Sequence, residues 1–167
     1  LYLVLLRFSS MLFEGEIYFG SYFWNNHFST TDYGTLYKFN IGTGIISAVC
    51  TLPIVELTPG DGVGQYLITS LAVFNNNLYL MSGSAIYGND PQESKILGTR
   101  LYILNSTKDG ITEVTDTPHE VGERKLIVFD GNLYSIDVWR NLPGMIPAPG
   151  RLYRLNGFIW DVVATWP

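Results

Sequence analysis

The amino-acid sequence predicts an all-β fold built from three copies of one four-stranded antiparallel meander. A hairpin phrase is written three times, as FEGEIY from Phe13, FNNNLY from Phe74 and FDGNLY from Phe129. A strand phrase follows each: LYKFN from Leu36, LYILN from Leu101 and LYRLN from Leu152. Each copy then closes on a proline, Pro53, Pro118 and Pro167. The anchoring phenylalanines stand 61 and 55 residues apart, a period that marks one supersecondary unit per copy.

The first two strands of each copy come from the hairpin phrase. Tyr18, Tyr79 and Tyr134 stand five residues after their phenylalanines, preceded by Ile17, Leu78 and Leu133. Between them lie Glu14-Gly15, Asn75 to Asn77 and Asp130-Gly131, choices that accept positive φ in a tight hairpin turn. The Leu-Tyr phrase supplies the third strand. A fourth begins after an Asn/Gly turn and alternates apolar with polar residues, as in ITEVTD and FIWDVV, the pattern of a half-buried strand. Counting back from the prolines puts Ile46, Ile111 and Trp160 in one register, and Val49, Val114 and Val163 in another. The copies span about 8–53, 66–118 and 124–167 of a single unit, with 1–7 (LYLVLL and Arg7) read as the remnant of a further strand. Convincing 3.6-residue periodicity is missing, so helices should be scarce.

One such sheet leaves both faces open, whereas copies stacked face to face around an axis cover each other, which is the physical case for a β-propeller. LYLMSGS from Leu78 and GRLYRLNGFIWDVVATWP from Gly150 are similar to the blades of kelch and galactose-oxidase-type propellers, with a strand ending in a Gly doublet, a Tyr strand, a Trp strand and a closing Pro. The resemblance covers nearly the whole chain and implies propeller blades. The chain departs from the pattern at the doublet, which reads Gly20-Ser21, Gly83-Ser84 and Ile136-Asp137, and Trp occupies the fourth strand of the third copy alone.

Closed propellers have about 4 to 8 blades. Three blades imply part of a longer propeller chain, half of a six-bladed homodimer, or a cap on a partner's sheet. End sheets would otherwise show bare apolar faces and open edges.

Composition narrows the partners. Ten Lys and Arg against fifteen Asp and Glu give a net charge of -5, which supplies no cationic surface for a phosphate backbone, so nucleic acid is not expected. LYLVLL is too short for a membrane span, and no other segment could cross a bilayer. Cys50 is the single cysteine, which rules out intrachain disulfides and cysteine-based zinc sites; it reads as a small buried strand residue. The compartment stays open, with the extracellular side favoured.

Function is expected where the copies differ. Long connections join the second strand to the third: SYFWNNHFSTTDYG from Ser21, SGSAIYGNDPQESKILG from Ser82 and DVWRNLPGMIPAPG from Asp137. In a meander these connections and the links between copies leave at one end, and the tight hairpins at the other. The ligand-binding candidates are Tyr22, Trp24, Asn25, His27, Tyr87, Asp90, Trp139 and Arg140, with Asn89 beside them. Rings flanked by amides and carboxylates suit a glycan or a peptide; they suit packing between sheets equally. The reading is a non-enzymatic module that binds a protein or glycan, with a structural spacer as one alternative.

Catalytic signatures are scarce. HExxH, the nucleophile elbow, the P-loop and GxGxxG are missing, and His27 and His119 fall in different kinds of loop. No metal and no cofactor is expected. TPGDGVG from Thr58 lacks the alternating oxygen ligands of a calcium loop and reads as a turn. A glycosidase would need two carboxylates about 5 to 9.5 Å apart, for which Asp32, Asp90 and Asp137 are the candidates. The copper-radical chemistry of galactose oxidase is not carried over, because Cys50 falls on an outer strand. Asn105-Ser106-Thr107 matches a glycosylation acceptor at a hairpin, where chance occurrence is the simpler reading.

Overall fold

Left-handed backbone sets the first hairpin of every copy. Glu14 (φ 47) with Gly15 (φ 79), Asn75 (φ 48) with Asn76 (φ 58), and Asp130 (φ 46) with Gly131 (φ 67) occupy two-residue turns. Positive φ at both centres gives the twist that two antiparallel strands need to pair without splaying. Asn77 and Asn132 then donate their side-chain amides to the carbonyls of Asn75 and Asp130, at 2.9 and 2.8 Å.

The computed structural model describes residues 9–20, 34–52, 54–55, 63–87, 99–116, 123–138 and 150–166. Thirteen strands and no helix occur among them. The first sheet has the order β1 (Ser10–Phe13), β2 (Glu16–Gly20), β3 (Thr35–Asn40), β4 (Ile45–Thr51). The second runs β5 (Ile54–Val55), β6 (Val63–Phe74), β7 (Asn77–Tyr87), β8 (Arg100–Leu104), β9 (Ile111–Asp116). The third runs β10 (Glu123–Phe129), β11 (Asn132–Val138), β12 (Gly150–Asn156), β13 (Ile159–Trp166). Every pairing is antiparallel between sequence neighbours.

Two features go beyond the sequence reading, the first of them in the second sheet. That sheet opens ahead of residue 66, and β5 adds a fifth strand through Ile54 opposite Gln65 and Val55 opposite Gly64. Each third-to-fourth hairpin also carries an irregularity inside the repeated Leu-Tyr pair, at Leu36/Tyr37, Leu101/Tyr102 and Leu152/Tyr153. The partners step from Cys50 to Ala48, Thr115 to Glu113 and Ala164 to Val162. Val49, Val114 and Val163 are therefore the extra residues of three equivalent bulges, which shift side-chain alternation along the fourth strand.

The sheets pack face to face in chain order. Phe13, Tyr18, Leu36 and Leu52 of the first meet Ile68, Leu71, Leu78, Leu80, Tyr102 and Leu104 of the second. Ala72, Met81 and Leu101 on the second sheet's other face meet Leu126, Leu133, Tyr153 and Trp160 of the third. Neighbours in a strand point to opposite faces, so Leu78 and Leu80 serve one core and Met81 the other. Close approach between sheets centres on the first strand of each hairpin phrase, β6 with β1 and β10.

A repeated hydrogen bond joins those first strands. The Leu71 amide donates to Ser9 Oγ at 2.7 Å, and the Leu126 amide donates to Ser70 Oγ at 2.9 Å. Ser9 and Ser70 both stand four residues before the anchoring phenylalanine, and Leu71 and Leu126 three before. The hydroxyl satisfies an amide on the free edge of the next sheet, which would otherwise be left unpaired. Thr69 is the extra residue of a bulge in β6; its carbonyl accepts from Lys125 Nζ at 2.6 Å.

Candidate functional site

Strand directions decide which connections share an end. Residues 21–34, 88–99 and 139–149 join second to third strands, and 117–122 joins β9 to β10. In an antiparallel meander these connections leave each sheet at the end opposite the tight turns at residues 14–15, 75–76 and 130–131. Within each sheet, therefore, the strand ends that these connections join lie at one end and the tight hairpins at the other.

Tyr22, Trp24, Asn25, His27, Asp32, Asn89, Asp90, Trp139, Arg140 and His119 lie outside the described residues. Tyr87 and Asp137 lie within strands rather than in loops. Tyr87 closes β7 opposite Val63, and Asp137 sits in β11 opposite Arg124. The reason is strand length, since β6 and β7 pair over 12 and 11 residues and carry the hairpin past Ser82.

The described rim carries features of its own. Ser82 Oγ accepts from the Arg100 amide at 3.1 Å where β7 meets β8. Arg100 Nη1 reaches Glu113 Oε2 at 2.8 Å, and the Thr35 and Thr51 hydroxyls meet at 3.2 Å. Trp166, opposite Gly150 at the end of β13, keeps 39% of its surface exposed. A Cβ on residue 150 would run into the Trp166 indole, so a larger residue there would force that ring to shift. Trp166 is a rim aromatic that sequence reasoning passed over; its signal was a Trp one residue before the closing Pro167.

The densest charged cluster sits at the hairpin end. Glu16 accepts from Lys38 Nζ at 3.2 Å, Asn40 Nδ2 at 3.3 Å and the Tyr18 hydroxyl at 3.3 Å. The Lys38 ammonium, with the Asn40 amide, holds the Glu16 carboxyl below its ordinary range against a smaller opposing effect of burial. Burial first, then the Glu16 charge, pushes the Tyr18 phenol up to about 12. A carboxyl held ionised is the reverse of a raised general acid, and Glu16 here ties β2 to β3 through Lys38 and Asn40. Lys108 also pairs with Glu14, tying a hairpin of the second sheet to one of the first.

The glycosylation-like triplet closes its own turn. Asn105 Nδ2 donates to Asp109 Oδ1 at 3.0 Å, while Asn105 Oδ1 accepts from the Asp109 and Gly110 amides at 3.2 and 3.3 Å. The side chain closes the turn at both ends. Cys50 is half-buried beside the first core, and burial pushes its thiol up to about 11, which keeps it protonated and unreactive at neutral pH. Among the described residues no three of His, Cys, Asp and Glu come together as a metal site, and no helix is long and apolar enough to cross a membrane.

No protein-family model and no curated protein matches this chain.

Proposed function

We propose that the chain forms part of a β-propeller and acts as a binding module for a protein or glycan at its loop-rich rim. One observation carries the reading: the meander topology, written three times, sends the variable connections of each sheet to one end. The propeller itself is supported by sheets that stack in chain order, approach closest at their first strands and repeat the same serine-to-amide bond. Strands that diverge away from an inner edge give the wedge-shaped layers of a radial array. Rigid sheets positioning irregular segments is the arrangement in which binding residues gather, and the sequence puts Trp24, Trp139 and Arg140 there.

A glycan array and a lysate pull-down, read with Trp24→Ala, Trp139→Ala and Trp166→Ala variants, test this reading. Binding lost in the variants with an unchanged circular dichroism spectrum supports the module. Turnover of a bound glycan that disappears with Asp32→Asn, Asp90→Asn or Asp137→Asn, while binding persists, would instead favour a carbohydrate-active enzyme. Absence of any ligand on both formats would leave the spacer role.

A further inference from the structure

Aligning the copies on Phe13, Phe74 and Phe129 gives every sheet a leading face, turned toward the preceding sheet, and a trailing face, turned toward the next. The leading faces of the second and third sheets are covered at their centres, where Leu78 and Leu133 are fully buried, Ile111 packs against the first core and Trp160 is 7% exposed, while Val128 at the margin of the third keeps 44% of its surface exposed. Their counterparts on the first sheet are Ile17 and Ile46, and Ile46 is 60% exposed. Register places Leu12, Ile17, Phe39 and Ile46 side by side across all four strands. Phe19 and Tyr37 stack beside that row with ring centroids 5.6 Å apart.

The trailing faces tell the same story from the other end. Phe13 is 8% exposed and Phe74 packs against the second core, while Phe129 is 69% exposed. Val49 and Val114 pack against cores, while their bulge counterpart Val163 is 42% exposed. Within the chain, the trailing faces of the first and second sheets are each packed against the leading face of the next.

We propose that the trailing face of the third sheet packs on the leading face of the first sheet of a second copy of this chain, and reciprocally. The match rests on an interface the molecule already makes twice, not on the rim's ligand. Such a contact is heterologous, and two copies give six sheets, a number at which a propeller closes. The joint is weaker than the internal ones. Lys125 stands where Ser9 and Ser70 stand, so the serine-to-amide bond has no equivalent, and apolar surface carries the contact.

Sedimentation equilibrium of this chain, with Ile46→Glu and Phe129→Glu variants, tests the proposal. Both positions are exposed, 60% and 69%, so the variants should keep the wild-type circular dichroism spectrum. The expected result is a wild-type mass twice 18.8 kDa and a dissociation constant raised about a hundredfold or more in each variant, as for a charge placed in an apolar interface. A monomeric wild type, a mass that climbs with concentration, or a pair broken by only one variant would overturn it. So would a longer native polypeptide, monomeric in solution, whose further sheets cover both faces. Rim binding retained by a monomer would sink this proposal and leave the functional reading standing.

Discussion

Glu16 shows how one residue departs from its repeat and changes what holds the turn. Asn77 and Asn132, at the equivalent position, reach back to a turn carbonyl, whereas Glu16 collects Lys38, Asn40 and Tyr18. Its carboxyl is depressed in the folded state, so its contribution is present above the ordinary value of 4.5 and lost as pH falls through the folded value. Glu16→Gln should therefore flatten the acid limb of stability and cost about 0.5–1 kcal/mol near neutrality, read from urea midpoints across pH 3 to 7. Tyr18 has the opposite sign. Its phenol is raised from 10 to about 12, so stability is full below pH 10 and drains away as pH climbs toward 12. Tyr18→Phe should remove that alkaline loss, on the order of 2 kcal/mol by linkage, while costing the hydroxyl's bond to Glu16. An alkaline limb unchanged in Tyr18→Phe would refute the assignment.

At the scale of the element, the turns and the serine bonds make separable predictions. Asn76 holds φ 58 in the second hairpin, a conformation that costs an L-residue up to about 1–2 kcal/mol and glycine almost nothing. Asn76→Gly should stabilise the fold by up to about 1 kcal/mol, read as a higher urea midpoint. Ser70→Ala leaves the buried Leu126 amide unpaired and should destabilise by about 1–3 kcal/mol, with hydrogen exchange speeding first at Leu126. Equal protection of that amide in the variant would show that another acceptor serves it. The turns were legible in sequence, because Glu-Gly, Asn-Asn and Asp-Gly state their dihedral needs locally. The bulges were not. Val49, Val114 and Val163 looked like ordinary strand positions, since one extra residue alters no composition and appears only once the partner strand is counted alongside.

For the whole molecule, the middle sheet is the sharpest test of mutual support. Leu78, Leu80 and Leu104 are covered by the first sheet, and Met81 and Leu101 by the third. Residues 54–116 expressed alone would expose both faces and should show poor amide dispersion by NMR or precipitate. A well-dispersed spectrum would show that a single meander is self-sufficient. The same dependence explains the apolar ends of the stack, where Ile46 and Phe129 occupy positions that are covered between sheets elsewhere.

Local pattern alone determined the all-β class, the three copies, the strand order within each and the places of the tight turns. Those properties depend on neighbours along the chain: a period of two, a turn residue that tolerates positive φ, a recurring phrase. The tertiary structure decided which face of each sheet meets which neighbour, that Ser9 and Ser70 close the edge of the following sheet, that β5 joins the second sheet, and that Tyr87 and Asp137 belong to strands. These depend on atoms brought together from distant parts of the chain, and a strand's sequence says that it has a buried side without saying against what.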